Sequence, residues 1–580
     1  MCGIVGIYGV GGLEPMLRAI QHRGPDEEGR IYDRNNTLQL GVQRLSIIDL
    51  TTGSQPIKNE DGRLEIIYNG EVFNYLELRQ ELKRYGHHFR TQTDTEVVLH
   101  AYEHWGLDCF SHFIGQWALC ISDGQKLLIC RDRMGEKPLY YAKGDGWFAF
   151  ASEIKALHPR FTGGPRIPEE FWVFEAAPEG KTLFENIREL PPACYLIYDC
   201  ETGDLQVKNY WTIQADEYDN RSEDELAEEL RALIEDAVRL RLRSDVPWGV
   251  ALSGGVDSAA IACIARPDVV FSVRFPLGDK YDEFSYAEAI AKDLGAEHHV
   301  LTFGPEMMRK NLGNVVGSLD QPVATASPIA DFVLAHAASQ RVKVLLGGQG
   351  SDECFGGYTR YLVMQAELAL KAQPELSNYH SMMRYFWGQE LFGPHHERYF
   401  KLIRRDYRPA FDRYAERVKP YFNRCLDPIS GMGLTDIHLT LPPLITMNDR
   451  SSAAYGIENR SPFLDHRLVE FAFRLRPEMK IRGYTTKYLL RKALRGIVPD
   501  AVLDRKDKKG LVVPFVPWLV GNDAPLASWR DELLLSLAGR SLSASPVLTT
   551  GGRGEFDRRT YIAMTLELWF RRFYPNYRRL

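Results

Sequence analysis

The feature that most limits the fold of this chain is a glycine turn between two apolar runs. Residues 248–252 suit a short buried strand, and residues 259–265 are typical of a helix. The turn between them contains Gly254 and Gly255. Another strand-like run, residues 342–346, also leads into paired glycines. Buried strands and helices joined by such turns predict a doubly wound α/β domain with a parallel sheet.

The same turn has the composition of an anion-binding loop. Glycines let the backbone approach a ligand closely, and the backbone N–H groups at the start of a helix favour a negative charge. A triphosphate or a pyrophosphate is therefore the ligand that this loop suits best. The candidate binding residues are Ser253, Gly254, Gly255, Asp257 and Ser258.

The chain is too long for one hydrophobic core, and its pattern changes along its length. It has 580 residues, whereas single cores stop growing at ~250–300 residues. In the first part, short apolar runs alternate with turn residues, which predicts an antiparallel sheet with a few helices. Residues 212–221 read as a polar linker, helical spacing begins at Ser222, and the end of the chain is mostly helical. We therefore predict one domain at 1–211 and another at 222–580.

Composition excludes several classes of partner. The net charge of −6 offers no electrostatic footprint for nucleic acid or for an anionic membrane. No apolar stretch approaches the ~18–20 residues that cross a bilayer, and the nine cysteines form no Cys-x-x-Cys pair. These features predict a cytoplasmic protein with reduced thiols. Adjacent histidines do not share one helix face, so they predict no metal site; the pairs are His87 with His88, His298 with His299 and His395 with His396.

Cys2 is the cysteine with a candidate chemical role. An initiator Met is normally removed before a small residue, and its removal would leave Cys2 with a free α-amino group. Such an amine titrates near ~7.7–8.0 and a thiol near ~8.5, so a usable fraction of the amine can take the thiol proton at neutral pH. Cys2 is therefore a candidate nucleophile with its own base.

The first part of the chain resembles the glutaminase domain of class II glutamine amidotransferases. The resemblance rests on residues 2–6, 22–26, 44–49, 69–71 and 93–96, which occur in the family's order. It implies an α+β N-terminal-nucleophile sandwich that hydrolyses L-glutamine at Cys2. The implied roles are carboxylate binding by Arg44, an oxyanion hole at Asn69 and Gly70, and amine binding at Asn69, Gly70, Glu71 and Asp94. These residue types suit those roles, because a carboxylate favours a guanidinium, an oxyanion favours amide donors and an ammonium favours carboxylates.

With the glycine loop, the resemblance extends over nearly the whole chain to the glutamine-hydrolysing asparagine synthetase family. Further matching segments are residues 131–140, 151–156, 347–353 and 462–467. The resemblance implies that the second domain is an ATP-pyrophosphatase that activates a carboxylate as its adenylate, using ATP and Mg²⁺. The implied positions are Leu252, Val273, Gly347 and Gly348 for the adenosine part of ATP, Asp257 and Asp352 for Mg²⁺ and pyrophosphate, and Lys487 for phosphate charge.

One position departs from the family pattern. Gln349 stands where asparagine-forming members usually carry a glutamate that assists the attack of ammonia on the adenylate. A Gln amide cannot take a proton at neutral pH, so either Glu353 or another carboxylate substitutes, or the acceptor and its geometry differ. The expected reaction is the conversion of L-aspartate to L-asparagine. The alternative is the same chemistry on a specialised acceptor carboxylate of a sugar, a peptide or a natural product.

Two interpretations from other classes stay open. One is a glutaminase with a silent second domain, and the other is a non-catalytic or storage homologue. The joint presence of Cys2, Asp257 and Lys487 argues against the second, since a storage protein has no physical reason to keep them. The resemblance also suggests a homodimer.

Overall fold

The computed structural model describes residues 2–9, 11–33, 35–175, 177, 180–278, 282–322, 325–372, 380–387, 393–405, 408–506, 513–520, 523–540 and 558–577. Within these ranges, no helix has the length and apolar character that a bilayer crossing requires. All nine cysteines carry free thiols.

The first part of the chain is built mainly from antiparallel strands. Its strands are β1 (Gly3–Tyr8), β2 (Glu27–Tyr32), β3 (Leu38–Arg44), β4 (Ile57–Lys58), β5 (Glu65–Val72), β6 (Gly115–Ser122), β7 (Lys126–Arg131), β8 (Tyr140–Gly144), β9 (Trp147–Ala151), β10 (Arg188–Glu189), β11 (Cys194–Asp199) and β12 (Leu205–Asn209). Its helices are α1 (Leu13–Ala19), α2 (Tyr75–Arg84), α3 (Asp94–Trp105), α4 (Cys109–His112) and α5 (Glu169–Phe174).

These strands form two sheets that pack face to face. One sheet has the order β10-β8-β9-β1-β3-β2 and the other the order β12-β11-β7-β6-β5-β4. The apolar core between them includes Ile4 and Val42 of the first sheet and Ile67 and Ile129 of the second. Helices α2 and α3 cover the outer face of the second sheet. The predicted α+β sandwich is confirmed.

The second part of the chain combines a parallel sheet with many helices. Its strands are β13 (Trp248–Ala251), β14 (Val269–Arg274), β15 (Glu297–Thr302), β16 (Val344–Leu346), β17 (Glu458–Arg460), β18 (Ile481–Arg482) and β19 (Thr485–Thr486). Its helices are α6 (Glu223–Arg241), α7 (Val256–Ala265), α8 (Phe284–Leu294), α9 (Pro305–Leu319), α10 (Ser327–Ala338), α11 (Ser351–Phe355), α12 (Thr359–Ala372), α13 (His380–Trp387), α14 (His395–Ile403), α15 (Lys419–Asn423), α16 (Pro428–Thr435), α17 (Leu441–Ala453), α18 (His466–Phe473), α19 (Pro477–Lys480), α20 (Tyr488–Ala493), α21 (Asp500–Leu503), α22 (Phe515–Leu519), α23 (Ala527–Ala538) and α24 (Arg559–Phe573).

The parallel sheet has the strand order β15-β14-β13-β16-β17, so the order reverses between β13 and β16. Ligands of doubly wound sheets bind at the carboxyl ends of the strands where this reversal occurs. Both predicted glycine turns lie there, one after β13 and the other after β16. The doubly wound α/β part with a helical C-terminal region is therefore confirmed.

Local boundaries differ from the predictions in two places. Helix α7 begins at Val256, not near residue 259, because Gly255 adopts the extended backbone of an N-cap and the helix starts directly after it. The polar linker at 212–221 is irregular as predicted, but it is not loose. Ile213 and Ala215 are buried in the core beneath α6.

Candidate active site

Cys2 lies just before β1, between the N-terminal sheets and the second part of the chain. Its thiol is buried and lies 3.8 Å from the carbonyl oxygen of Leu45, while Arg23 Nε donates to the carbonyl oxygen of Cys2 at 2.9 Å. Burial raises the pKa of the Cys2 thiol. The thiol therefore needs a nearby base before it can act as a nucleophile.

Asn69 is a fully buried amide on β5 without hydrogen bonds of its own. Neither its Oδ1 nor its Nδ2 has a hydrogen-bond partner. Such a group is costly inside a protein, and functional sites are where such groups are kept. At the next residue, Gly70, a Cβ would lie only 2.6 Å from Trp117 Cα on β6, so the close approach of the two strands requires glycine. The pair has the donors that an oxyanion hole needs.

Two carboxylates lie beside this amide. Val72 N donates to Asp94 at 2.9 Å, and the Thr93 hydroxyl donates to Asp94 at 3.2 Å. Burial raises the pKa of Asp94 to about 6, and burial together with Asp94 raises the pKa of Glu71 well above its ordinary value. One oxygen of Glu71 lacks a hydrogen-bond partner. A bound ammonium group would stabilise the ionised form of both carboxylates.

Arg44 ends β3 with its guanidinium held in a fixed direction. It donates to the backbone carbonyl oxygens of Ile48 at 3.2 Å and Asp49 at 2.7 Å, and it pairs with Glu27 at 3.1 Å. These contacts orient the planar guanidinium for a carboxylate ligand. Because the Cys2 thiol lies 3.8 Å from the carbonyl oxygen of Leu45, the residue after Arg44, the two predicted site residues are brought together.

The glycine loop after β13 is organised by its serines. Ser258 Oγ accepts from Ser253 N at 3.1 Å and donates to the carbonyl oxygen of Gly255 at 3.2 Å. Gly254 has φ +81°, a left-handed conformation in which a side chain would be strained. Leu252 is buried at the end of β13, and half-buried Val273 lies at the end of the neighbouring β14.

Lys487 occupies the centre of the predicted phosphate site. Its Nζ lies 2.6 and 2.7 Å from the two carboxylate oxygens of Asp257 and 2.6 Å from Asp352 Oδ1. It also donates to Ser351 Oγ at 3.2 Å. The Lys487 backbone has φ +55°, a strained conformation typical of functional sites.

The second glycine turn completes this site. A Cβ at Gly348 would lie 2.9 Å from Asp257 Cβ, so only glycine lets the turn pack against α7. A cavity of about 380 Å³ adjoins α20, and its lining includes Arg491, Lys492 and Arg505. Arg505 also donates to the carbonyl oxygen of Gly254 at 3.1 Å, which links this basic surface to the glycine loop.

Gln349 and Glu353 face different surroundings, although both were predicted for the acceptor site. Gln349 Oε1 accepts from the Ser461 hydroxyl at 3.4 Å. Glu353 is buried and accepts from the Tyr358 hydroxyl at 2.6 Å. Burial and the neighbouring Asp352 raise the pKa of Glu353 to about 7. Its raised pKa makes Glu353 a candidate for proton transfer.

Gln349 also lines a small cavity between the two parts of the chain. The cavity measures about 10 Å³, roughly what one water-sized molecule needs. Its other lining residues include Gln116, Lys137, Asn459 and Ser461. Gln116 Nε2 donates to the Asn459 carbonyl oxygen at 3.2 Å, which joins β6 to β17.

Sequence reasoning assigned no role to the residues that connect the two centres. Arg23 pairs with Glu153 at 2.9 Å and with Asp449 at 3.0 Å, and all three are buried. Arg460 lies 3.8 Å from Glu71 and pairs with Glu458 at 2.8 Å. The signal that could have found Arg23 and Glu153 is that both lie in segments on which the family resemblance rests. Tyr358, whose hydroxyl donates to Glu353, lies outside those segments.

Comparisons with known proteins agree with this geometry. The family model of the glutamine amidotransferase domain matches residues 1–211, and that of asparagine synthase matches residues 229–565. Glutamine-hydrolysing asparagine synthetase 1 of Bacillus subtilis (strain 168) is 34% identical over 568 residues, covering 90% of this chain and 88% of that protein. A putative asparagine synthetase of Mycobacterium tuberculosis (strain ATCC 25618 / H37Rv) is 30% identical and covers 98% of this chain and 95% of that protein.

A relative with a different name is also similar along most of its length. Amidase chry2 of Gibberella zeae is 28% identical over 601 residues, covering 90% of this chain and 87% of that protein. The asparagine synthase model covers more than half of the chain. These matches, together with the N-terminal-nucleophile and ATP-pyrophosphatase folds, show that the chain belongs to the glutamine-hydrolysing asparagine synthetase family of ATP-using ligases.

Proposed function

We propose that this chain amidates L-aspartate to L-asparagine, with glutamine as nitrogen donor and with ATP cleaved to AMP and pyrophosphate. The observation that carries the proposal is the cavity between the two centres, which is lined by Gln116 and Lys137 from one part and by Gln349 and Ser461 from the other. Its size suits ammonia as well as water. The names of the synthetase relatives support aspartate as the acceptor.

The glutaminase half begins with Cys2 after removal of the initiator Met. Its α-amine takes the thiol proton, and the thiolate attacks the amide carbon of glutamine. Asn69 and the Gly70 N–H stabilise the oxyanion. The amine then returns the proton to the leaving nitrogen, which departs as ammonia and leaves a thioester that water hydrolyses to glutamate. Arg44 holds the substrate carboxylate, and Glu71 and Asp94 hold its ammonium.

The synthetase half has groups that fit Mg²⁺ and a triphosphate. The fit rests on the carboxylates of Asp257 and Asp352, which converge on one cationic nitrogen and are the hard oxygen donors that Mg²⁺ takes. When bound, Mg²⁺ would neutralise phosphate oxygens. The backbone of Ser253–Ser258 and the Lys487 ammonium would hold the pyrophosphate group while the acceptor carboxylate displaces it from the α-phosphorus.

Proton removal in the final step is assigned to Glu353. Attack of ammonia on the adenylate gives a positively charged nitrogen, which must lose a proton as AMP leaves. Gln349 cannot accept that proton, whereas a carboxyl group with a pKa of about 7 can. The Tyr358 hydroxyl keeps the Glu353 carboxylate oriented.

A second candidate is the same chemistry on a specialised acceptor carboxylate. Gln349 favours it, because the residue usually found at that position is missing. The similarity to amidase chry2 also supports this second candidate, because that relative is not named as a synthetase. A homodimer belongs to both versions of the proposal and is checked by light scattering.

The deciding experiment measures AMP, pyrophosphate and glutamate release with glutamine, ATP and Mg²⁺, with and without L-aspartate, and detects asparagine by mass. Aspartate-dependent AMP release with asparagine formed supports the proposal. Glutamate release without aspartate dependence rejects aspartate and directs the search to other carboxylates. The matched control is an Asp352→Asn variant, which should release glutamate but no AMP. If the wild-type chain also releases glutamate but no AMP, it is a glutaminase alone. A storage homologue would release neither product.

A further inference from the structure

The glutaminase domain carries a cluster of metal-ligand side chains that its reaction does not use. Glu60 lies in the loop between β4 and β5, and His87 follows the end of α2. His100 and Glu103 lie one helical turn apart on α3. The fold brings His87 close to His100, which is distant in sequence, and not to its neighbour His88.

The distances within the cluster fit a tetrahedral metal ion. His100 Nδ1 lies 3.0 Å from Glu60 Oε2 and 3.3 Å from Glu103 Oε2. His87 Nδ1 lies 3.4 Å from Glu60 Oε1 and 3.8 Å from Glu103 Oε2. Bonds of ~2.0–2.2 Å from Zn²⁺ to nitrogen and oxygen place neighbouring ligands of a tetrahedron about 3.3–3.6 Å apart. One ligand atom from each residue lies within 4.8 Å of all the others.

Groups around the cluster orient its members. Asn59 Nδ2 donates to the second oxygen of Glu103 at 2.9 Å, and the backbone N–H of His88 donates to Glu60 at 3.0 Å. The other ring nitrogen of His100 faces Glu96 at 3.8 Å. The hydrogen bonds to Glu60 and Glu103 are of the kind that orients ligating carboxylates in metal sites.

The exposure of the four side chains suits an ion that enters from solvent. The His100 side chain is 1% exposed and the His87 side chain 12%, whereas those of Glu103 and Glu60 are 23% and 32% exposed. The two imidazole rings lie with centroids 5.1 Å apart, so two imidazolium charges there would repel each other. Two neutral imidazoles and two carboxylates around one divalent ion give no net charge.

We propose that Glu60, His87, His100 and Glu103 form a structural site for a divalent transition metal ion of the Zn²⁺ class. Imidazole and carboxylate ligands suit Zn²⁺, whereas Mg²⁺ prefers oxygen ligands alone. The ion would tie the β4–β5 loop and the end of α2 to α3, the helix that presents Asp94 at its first turn. Its role is therefore to hold the glutamine site in place.

The test titrates Zn²⁺ into the metal-depleted full chain by calorimetry, with excess Mg²⁺ present to occupy the phosphate site. We expect one Zn²⁺ per chain, affinity at least ~10-fold weaker in His87→Gln and Glu103→Gln, and unchanged affinity in His88→Gln. His88 is exposed, so its variant is the matched control. Because His87 and Glu103 are partly exposed, their variants keep the test valid if a change at buried His100 prevents folding.

Two further measurements separate this site from the thiols. Co²⁺ bound to the wild-type chain should give a tetrahedral spectrum without a thiolate charge-transfer band, and the spectrum should weaken in His87→Gln. Zn²⁺ should raise the Tm of the wild-type and His88→Gln chains but not of His87→Gln, since only binding to the folded state stabilises it. Equal affinity in wild type and His87→Gln, no binding at micromolar Zn²⁺, or a thiolate band would each overturn the proposal.

Discussion

The two reaction centres of this chain differ in how their polar groups are satisfied before any substrate binds. In the glutaminase centre, both amide atoms of buried Asn69 and one oxygen of Glu71 have no hydrogen-bond partner. In the synthetase centre, Lys487 contacts both Asp257 and Asp352 within 2.7 Å. The glutaminase centre keeps buried polar atoms without hydrogen bonds, whereas in the synthetase centre a lysine and two carboxylates pair with one another.

This difference teaches how the two halves respond to ligands. On the proposed function, oxyanion donors that are already in place need no rearrangement when glutamine binds. On the same proposal, phosphate and Mg²⁺ would replace the ion pairs of Lys487 with Asp257 and Asp352. Between the two, the buried charges of Arg23, Glu153 and Asp449 are paired across the junction and hold the centres in register.

Cys2→Ala separates the centres most sharply. Glutamine hydrolysis should fall by at least ~1,000-fold, because no other group replaces the nucleophile. Aspartate amidation supplied with ammonium chloride should stay within about twofold, because the phosphate site lies on the other sheet. Coupled assays of glutamate and AMP measure both, and loss of the ammonia-driven reaction would mean that Cys2 also supports the synthetase half.

Asn69→Ala tests whether the glutaminase centre is preorganised. The kcat for glutamine hydrolysis should fall by ~100–1,000-fold, the usual effect of losing one oxyanion donor. The free energy of unfolding should fall by less than about 1 kcal/mol, because the removed amide makes no hydrogen bond.

Gln55→Ala is the matched control for this stability measurement. The buried Gln55 amide accepts from Tyr68 N at 2.8 Å and donates to Thr95 Oγ1 at 3.4 Å. Its loss should lower the free energy of unfolding measured in urea by more than Asn69→Ala does. A larger loss in Asn69→Ala would show that the Asn69 amide is structural.

Lys487→Met tests the synthetase centre, where we expect activity and stability to fall together. AMP release should fall by ~100-fold, and the free energy of unfolding should fall by about 3 kcal/mol, because two carboxylates lose their buried counter-charge. Lys492→Met, which removes a lysine paired with Glu223 and Asp224 at the surface, should cost less than about 1 kcal/mol. Equal losses of unfolding free energy in Lys487→Met and Lys492→Met would contradict the ion pairs of Lys487 with Asp257 and Asp352.

The sequence predicted what is encoded locally and missed what depends on distant partners. The helix start at Ser222, where the structure has a capping box, and the glycine turn after β13 need only neighbouring residues, and both are found where expected. The order of motifs placed Arg44, Asn69 and Asp94 because their spacing is shared by a family. The pairing of Arg23 with Asp449 spans 426 positions and leaves no local pattern.

The same reason explains the groupings to which sequence reasoning assigned no role. Adjacent histidines indicated no shared helix face, whereas the fold brings His87 close to His100 on α3. Gln349 and Glu353 are close in sequence, yet one faces the cavity between the domains and the other a buried tyrosine. Short sequence spacing therefore did not predict a shared environment.

The pH dependence of glutamine use sharpens the comparison further. With its pKa raised to about 6, Asp94 is protonated below that pH and binds an ammonium poorly, so kcat/KM for glutamine should fall up to ~10-fold per unit below pH 6. Asp94→Asn should raise the KM for glutamine by ~10-fold or more at pH 8, and its acidic limb should keep only the titration of Glu71.

The same group gives a signed effect on stability. Because burial raises its folded-state pKa, Asp94 favours folding below its ordinary pKa and loses that contribution as the pH rises through about 6. Asp94→Asn should therefore be more stable than the wild type at pH 8, and the difference should vanish below about pH 4. A lower Tm of the variant at pH 8 would contradict a carboxylate whose charge is destabilised by burial.

Tyr358→Phe gives the smallest and most specific effect. The Tyr358 hydroxyl donates to Glu353 and favours its ionised form, so removing it should raise the pKa of Glu353 above about 7. The acidic limb of the ammonia-driven reaction should then move up by ~1 pH unit, with a few-fold loss of rate at pH 7. Tyr361→Phe is the control, because that hydroxyl donates to Asp436 and not to Glu353. If the acidic limb does not move in Tyr358→Phe, another group transfers the proton. If the limb moves in Tyr358→Phe but not in Tyr361→Phe, Glu353 is the base that compensates for Gln349.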